Sequence, residues 1–230
     1  MQSKSKFWFL KHINILDGIE ESLVESIDRM SSMSSVKRHQ PIYFGDEPSR
    51  SVFFLKDGHV KISRISADGR EVIIDVIGPG EIFGELSLVD GGEGRDEIAE
   101  ALDDALVCAM NVQDFQNVMK NSPELNLEVT RKIGLRLRKV QKRVSDMIFK
   151  DVRQRTAGFL VEYGEEFGKM KNGIVTIGSP LTHQEIALLT GSARQTTTAI
   201  LDEFRKSGLI EFTRDTFTIK EFEKLKKLAG

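Results

Sequence analysis

The sequence predicts an α+β fold with three parts: an N-terminal antiparallel β domain, one long helix, and a C-terminal, mainly helical domain with a small β-hairpin. Between residues 41 and 110, short apolar runs alternate with glycine-containing turns, as in antiparallel sheets. From residue 124 to about 150, a helical pattern is interrupted by glycine only at Gly134. After residue 151, capped helical segments are followed by two strand-length segments.

The composition indicates a globular protein of about two domains, since the chain has 230 residues, of which 40% are hydrophobic and 30% charged. The net charge of −2 conceals an uneven distribution. Residues 1–122 carry 13 basic and 21 acidic side chains, residues 123–150 carry 8 and 3, and residues 151–230 carry 12 and 11. This asymmetry indicates different partners for the different parts of the chain.

Several classes of protein are disfavoured by what the sequence lacks. No run of about 18 apolar residues predicts a membrane span, and the N-terminus does not resemble a signal peptide, so we expect a cytoplasmic protein. The single cysteine, Cys108, excludes an intrachain disulfide and a four-cysteine iron–sulfur cluster. No nucleophile motif, Walker loop or metal-ligand spacing is present, so we expect neither an enzyme nor a metal site.

The β domain is predicted from strand-length runs rich in β-branched and aromatic residues. These runs are Ile42–Phe44, Val52–Leu55, Val60–Ile65, Val72–Ile77, Ile82–Phe83 and Leu106–Met110. Turn dipeptides lie between them, at Gly45-Asp46, Asp57-Gly58, Asp68-Gly69 and Gly78-Pro79-Gly80. Their spacing is typical of a sandwich or barrel. Helical spacing predicts a lead-in helix within residues 15–35 and a short helix over 112–121.

The long helix is predicted to begin at Pro123, with Ser122 as its N-cap. Apolar residues then recur in steps of four and three, which is a heptad pattern about two heptads long. They are Ile133, Leu137, Val140, Val144 and Met147. Basic residues flank this apolar seam. The pattern favours a dimer interface, and an amphipathic helix packed on its own domain is the alternative.

A helix-turn-helix motif is predicted between Thr182 and Leu201. Thr182 and Glu185 have the spacing of a capping box, and Gly191 lies where the turn needs a positive φ. Ser192 is then expected to cap the second helix. Leu209–Phe212 and Thr216–Ile219 are predicted to form a hairpin, the wing. A helix over 152–167, a linker over 168–173, a strand over 174–177 and a last helix over 220–228 complete the domain.

The second helix of the motif begins with polar side chains suited to reading DNA. We expect Arg194 and Gln195 to contact base edges, and Thr197 and Thr198 to contact bases or phosphate. Thr182, His183 and Ser192 are expected to hold the DNA backbone. A helical hairpin with a merely polar surface is the alternative, but the capping box, turn glycine and wing occur together. The sequence thus predicts a winged helix-turn-helix that binds double-stranded DNA.

Further motifs carry a family resemblance over nearly the whole chain. One set consists of the glycines Gly45, Gly58, Gly69, Gly80 and Gly84. The other consists of three segments: Phe83–Leu88 with Arg95, Phe149–Phe159 and Ser192–Thr198. Together they resemble the Crp/Fnr family of bacterial transcription regulators. The resemblance implies an N-terminal β-roll, a jelly roll like that of cyclic-nucleotide-binding domains. The DNA-reading part is most similar to the family's carbon-monoxide-sensing haem branch.

The resemblance also implies an effector site in the β-roll. Its positions are Gly84, Glu85, Leu86, Ser87, Arg95 and Asp96, with Val140 and Gln141 on the long helix. Backbone N–H groups after Gly84 can face an anion, Glu85 can accept from a ribose hydroxyl, and Arg95 can pair with a cyclic phosphate. The chain departs from the cyclic-AMP pattern at two places. Asp96 stands where the family has a phosphate-donating hydroxyl, and Val140 and Gln141 stand where it has a hydroxyl pair.

The effector therefore has several candidates. They are cyclic AMP or another cyclic mononucleotide, a cyclic dinucleotide or other anionic ligand, and an unknown ligand or none. Haem is disfavoured because the positions that carry the haem-sensing branch's ligands are Gly84 and Leu86. An iron–sulfur cluster is excluded within the chain.

These observations predict a dimeric regulator that binds a palindromic promoter site and is gated by a small effector. RNA polymerase is the further partner that the resemblance implies. The predicted parts are a sensor domain over 1–122, a dimerisation helix over 123–150 and a DNA-binding domain over 151–230. Many family members read a TGTGA-like half-site with Glu at the position of Gln195. Gln195 departs from that pattern, and the resemblance to the haem-sensing branch implies a TGTCA-like half-site instead. The alternatives are a constitutive regulator with a vestigial sensor, and a cyclic-nucleotide-binding module without DNA binding.

Overall fold

The computed structural model describes residues 6–10, 13–45, 50–88, 96–178, 181–213 and 216–230. The chain divides into two compact units. The first contains Met1–Ser66 and Ile74–Leu137, and the second contains Ala67–Ile73 and Arg138–Gly230.

Two four-stranded antiparallel sheets form the β domain, with strand orders β1-β8-β3-β6 and β2-β7-β4-β5. The strands are β1 (Ser31–Val36), β2 (Pro41–Tyr43), β3 (Ser51–Asp57), β4 (Val60–Ile65), β5 (Glu71–Ile77), β6 (Ile82–Phe83), β7 (Ile98–Ala101) and β8 (Ala105–Asn111). Gly58, in the β3–β4 turn, has φ +81°, and a Cβ there would lie 2.6 Å from the carbonyl oxygen of Asp104. This turn therefore requires glycine, as the Asp57-Gly58 pair predicts.

Strand β3 divides the core because its side chains alternate between two apolar clusters. Phe53 belongs to a cluster with Phe83, whose ring stacks on it with centroids 5.0 Å apart, and with Tyr43, whose ring is tilted against it at 5.5 Å. Phe54 faces the other way, into a cluster with Phe115, to which its ring lies edge-on at 5.7 Å. Cys108 is fully buried in this second cluster, as expected from its apolar surroundings.

Helices cover this second cluster. They are α1 (Lys6–Leu10), a 3₁₀ helix (Asn14–Leu16), α2 (Glu21–Met30), α3 (Val112–Lys120) and the start of α4 (Pro123–Phe149). The Ser122 side chain accepts a hydrogen bond from the N–H of Leu125 at 3.2 Å, so the predicted cap of the long helix is confirmed. Leu125 and Val129 are buried beneath its first turns.

The predictions missed three strands. Helix does not continue through residues 31–35, because these residues form β1, whose serines are mostly exposed and show no apolar alternation. Strand β7 has the sequence IAEA and was not predicted, since alanine gives little strand signal. Residues 168–173 are not wholly a linker, because Lys169–Lys171 pair with the next strand although all three are exposed.

The second unit contains the C-terminal domain. Its elements are the end of α4, α5 (Val152–Phe167), β9 (Lys169–Lys171), β10 (Ile174–Ile177), α6 (His183–Thr190), α7 (Arg194–Lys206), β11 (Ile210–Phe212), β12 (Phe217–Ile219) and α8 (Phe222–Leu228). The four strands form one antiparallel sheet in the order β11-β12-β10-β9. Helices α6 and α7 are joined by a short turn, and β11 and β12 follow α7 as a hairpin.

Candidate DNA-binding surface and sensor site

The start of α6 is fixed by a reciprocal capping box. The Thr182 hydroxyl accepts from the N–H of Glu185 at 3.2 Å, and the Glu185 carboxylate accepts from the N–H of Thr182 at 2.6 Å. Gly191 ends the helix in the left-handed conformation, with φ +61° and ψ +47°. Both features are as the sequence predicts, and they set the direction in which the chain enters α7.

The turn after Gly191 differs from the prediction at two residues. The N-cap of α7 is Ala193, without a side-chain hydrogen bond, rather than Ser192. The Ser192 hydroxyl instead lies 2.5 Å from the hydroxyl of Thr197, which is fully buried. The Thr197 side chain cannot reach DNA in this conformation, so its predicted contact with bases or phosphate is wrong. Its hydroxyl stabilises the turn between α6 and α7 by hydrogen bonding to Ser192.

The outer face at the start of α7 presents Arg194 and Gln195, which are exposed, and Thr198, which is half-buried. Thr196 and Ala199 are also exposed there, although neither was predicted as a site residue. The inward face of α7 consists of Thr197, Ile200, Leu201 and Phe204. Their spacing of three and four residues was the sequence signal that Thr197 is a core residue.

His183 lies at the first position of α6 and reaches the neighbouring helix. Its Nδ1 is 3.1 Å from the hydroxyl of Thr198. Its ring packs edge-on to Phe212 of the wing, with centroids 5.6 Å apart, and Phe212 stacks on Phe217 at 4.6 Å. Both strands of the wing thus support the helix-turn-helix. Its tip, Arg214 and Asp215, lies outside the described residues.

Arg155 on α5 connects three segments of the second unit. Its guanidinium donates to the carbonyl of Lys150 at 2.7 Å, to that of Thr190 at 3.0 Å and to that of Gly191 at 3.4 Å. It therefore satisfies carbonyl groups at the end of α6 and just after α4. Nothing in the sequence indicates this role beyond a basic residue on a helix.

The sensor positions Gly84–Ser87 form a compact turn at the end of β6. Gly84 has φ +73°, and a 3₁₀ helix begins at Glu85. Glu85 and Ser87 are buried, and the Ser87 hydroxyl donates to the carbonyl of Gly84. Leu86 is 39% exposed. The structure thus keeps these four predicted effector residues together.

Arg136 on α4 pairs with the buried carboxylates of this region, although it was not predicted as a site residue. Its guanidinium donates to Asp75 at 3.0 Å, to Glu85, and to the carbonyl of Ile82 at 3.0 Å. Lys132, one turn earlier, pairs with Glu81 at 3.1 Å. We call Asp75, Glu81, Glu85, Lys132 and Arg136 the Arg136 cluster.

Electrostatics favours the charged forms of Arg136 and Glu81. Burial alone would lower the pKa of Arg136, but the adjacent carboxylates of Glu85 and Asp75 raise it above its ordinary value. Burial would likewise raise the pKa of Glu81, but the N–H of Gly78 and the Lys132 ammonium lower it below its usual range. Two cations thus face three carboxylates, and Glu85, the expected ribose acceptor, already has a cationic partner.

The effector roles expected of Arg95, Asp96, Val140 and Gln141 stay predictions. Arg95 lies outside the described residues. Asp96 pairs with Arg64, on the exposed end of β4, at 2.7 Å. Val140 is half-buried and Gln141 is exposed on the part of α4 that belongs to the second unit.

The predicted seam of α4 is largely uncovered within this chain. Leu137, Val144 and Met147 are 56%, 54% and 46% exposed. Ile133, in contrast, is half-buried against the core of the first unit. Apolar exposure continues to the end of the helix at Ile148 and Phe149, which are 71% and 80% exposed.

Within the part of the chain that the structure describes, no helix combines the length and apolar character that crossing a membrane would need. The same residues contain no group of three or more His, Cys, Asp or Glu side chains placed to hold a metal ion.

Comparison with known proteins matches both parts of the chain. A model of the cyclic nucleotide-binding domain matches residues 33–122, and a model of the Crp-like helix-turn-helix domain matches residues 154–228. The CRP-like cAMP-activated global transcriptional regulator of Mycobacterium tuberculosis is 29% identical over 220 residues, covering 96% of this chain and 98% of that protein. The global nitrogen regulator of a Nostoc species is 27% identical over 188 residues, covering 81% and 84%.

A solved structure supports the fold. A CooA mutant from Carboxydothermus hydrogenoformans is similar with a TM-score of 0.74 over 95% of both chains, at 22% identity. A β-roll sensor of the cyclic-nucleotide-binding type, followed by a long helix and a winged helix-turn-helix, defines a DNA-binding transcription regulator rather than an enzyme. The chain belongs to the Crp/Fnr family of these regulators. The predicted fold class and DNA-binding function are confirmed.

Proposed function

We propose that this regulator acts as a homodimer that reads a palindromic promoter site through α7. The observation that carries the proposal is the exposed start of α7, where Arg194 and Gln195 project from a helix fixed by the α6 capping box and the Gly191 turn. In helix-turn-helix proteins this end of the second helix enters the major groove.

Each residue of this surface has a proposed role. Arg194 pairs with guanine and Gln195 with adenine, since their side chains can make bidentate contacts with those bases. Thr198 contacts a base edge or phosphate, while Thr182, His183 and Ser192 hold the DNA backbone. Thr196 and Ala199 join the contact surface because both are exposed beside the base readers.

The dimer is proposed to form along α4. Leu137, Val144 and Met147 lie at heptad spacing and are about half exposed, so a second copy of the helix would bury them. Two-fold symmetry then places two copies of α7 on one face of DNA, with half-site centres about 34 Å apart. On this basis the chain consists of a sensor over 1–122, a dimerisation helix over 123–150 and a DNA-binding domain over 151–230.

Selection from a random DNA library tests this proposal. We expect enrichment of an inverted repeat with half-sites one helical turn apart and a TGTCA-like sequence. Enrichment of single half-sites would contradict the dimer, and no enrichment at all would contradict sequence-specific binding.

The sensor is proposed to gate DNA binding through a small effector. The match to a cyclic nucleotide-binding domain and the cAMP-activated M. tuberculosis relative support this. A constitutive regulator is the second candidate, and the Arg136 cluster favours it because the Glu85 carboxylate, the expected ribose acceptor, pairs with Arg136. The two carboxylate oxygens of Glu85 can accept hydrogen bonds from Arg136 and from a ribose hydroxyl at the same time. The Arg136 cluster therefore does not by itself prevent a nucleotide from binding.

Calorimetric titration of the nucleotide-free protein with cyclic AMP separates the two candidates. Micromolar binding that disappears in Arg95→Ala supports gating by a cyclic nucleotide. The protein is a constitutive regulator if cyclic AMP does not bind and if neither a cyclic dinucleotide nor haem changes its affinity for DNA. RNA polymerase is the proposed partner at the promoter, and the cytoplasm is the proposed location, since both follow from promoter binding in a bacterium.

A further inference from the structure

His183 and Thr198 form a polar pair at the DNA-binding surface. The His183 ring stands at the start of α6, and its Nδ1 lies 3.1 Å from the hydroxyl of Thr198 on the outer part of α7. Both side chains are half-buried. Among the described residues, Nδ1 is the ring nitrogen that has a hydrogen-bond partner, and Nε2 has none.

The chemistry of this pair has two states. When Nδ1 carries no proton, the Thr198 hydroxyl donates to it, and the hydroxyl oxygen can then only accept from DNA. When the imidazole is protonated, both ring nitrogens donate, so Nδ1–H points at the oxygen and the hydroxyl proton turns outward. The protonation state of His183 thus reverses the direction of the hydrogen bond that Thr198 offers.

We propose that His183 is a positioning residue that sets the base preference of Thr198, and that this preference changes with pH. With a neutral imidazole in its Nε2–H tautomer, Thr198 favours a donor in the major groove, and cytosine is the base that offers a donor without an acceptor there. With a protonated imidazole, Thr198 favours an acceptor, and guanine and thymine offer acceptors without a donor. This inference rests on the proposed binding of α7 in the major groove.

The surroundings of His183 determine the direction in which its pKa is shifted. Burial lowers the pKa of His183 below its usual range; Asp202 on α7 opposes this, whereas Arg194 and Arg205 on the same helix add to it. The neighbour from the wing, Phe212, is an uncharged ring. The imidazole of the free protein is therefore neutral at pH 8.

DNA changes this balance. A phosphate near the ring favours the charged imidazole and raises the pKa of His183 in the complex. Protonation is then linked to binding, so total DNA affinity increases as the pH falls. The overall affinity and the preference at one base position should change together.

The test uses the full-length protein and the operator found by selection. Each half-site position is replaced by all four bases in both half-sites, and affinity is measured by fluorescence anisotropy at pH 8.0 and pH 5.5. At one position we expect the preference for cytosine over guanine or thymine to fall by about fivefold at pH 5.5, the size of one hydrogen bond. His183→Gln, which keeps a polar group but does not titrate, should show one preference at both pH values.

Thr198→Val and Thr176→Val form a matched pair, because Thr176 is an exposed threonine on β10, outside the proposed contact surface. Thr198→Val should abolish the pH-dependent change, and Thr176→Val should keep it. The inference is overturned if the wild-type preference is equal at both pH values, or if the change persists in Thr198→Val. If no operator can be selected at all, the proposed function itself fails, which is a separate outcome.

Discussion

Arg136 is the residue whose role the sequence reveals least. In the sequence it is one of several basic residues on a long helix, where exposed positions are the rule for arginine. In the structure its guanidinium pairs with Asp75 and Glu85, which are 6% and 5% exposed. The pairing depends on residues more than 50 positions apart along the chain, and no local pattern contains that information.

Replacing Arg136 by alanine should destabilise the first unit strongly. The change leaves two buried carboxylates without their cationic partner, which typically costs about 3–5 kcal/mol. Urea unfolding followed by circular dichroism measures the difference. Arg131→Ala is the matched control, since Arg131 is an exposed arginine of the same helix that pairs with Glu128, and it should change stability little. Equal stabilities of the two variants would contradict the role of the Arg136 cluster.

Single residues were otherwise predicted unevenly. The positive φ of Gly191 and the partnership of Thr182 with Glu185 were predicted because both follow from backbone rules over a few residues. The burial of Thr197 was missed because its polar side chain was given more weight than its spacing from Ile200 and Phe204. The phosphate contact expected of Arg95 stays a prediction.

At the scale of elements, helices were predicted more closely than strands. Helix α5 has the predicted bounds, and α4 ends one residue from the predicted end, because caps and apolar periodicity are local signals. Strands β1, β7 and β9 have weak local signals, and they form because a partner strand supplies hydrogen bonds. Pairing over a distance is not visible in the sequence of one strand.

The α6–α7 turn should be sensitive to the loss of its glycine. Gly191→Ala places a side chain at φ +61°, and its Cβ would lie 3.1 Å from Cε of Met147. A left-handed residue with a Cβ costs about 1–2 kcal/mol, so thermal unfolding of the second unit should occur at lower temperature and DNA affinity should fall.

Gly134→Ala is the contrasting change in the same chain. Gly134 lies within α4, with open space where its Cβ would be. Alanine is favoured over glycine inside a helix by about 1 kcal/mol, so this variant should be more stable than wild type. If Gly191→Ala were equally stabilising, the turn would not need its left-handed residue.

At the scale of the whole molecule, the exposed seam of α4 predicts the oligomeric state. Leu137→Asp and Val144→Asp each place a charge where a second helix would bury an apolar side chain, and an unpaired buried charge costs several kcal/mol. Sedimentation velocity should show a dimer for wild type and a monomer for both variants. Ser145→Asp, an exposed neighbour outside the heptad positions, should remain dimeric. Monomeric wild type at micromolar concentration would contradict the dimer.

The central claim is that the exposed start of α7 reads DNA sequence. It is tested most directly by the affinity of wild type, Arg194→Ala and Thr197→Val for the selected operator and for a shuffled sequence, measured at one fixed salt concentration because phosphate contacts depend on salt. Loss of a bidentate base contact costs about 1–3 kcal/mol, so Arg194→Ala should lose most of its preference for the operator. Thr197→Val removes a buried hydroxyl and should keep that preference. If Arg194→Ala discriminates between the two sequences as well as wild type does, α7 is not the element that reads the operator.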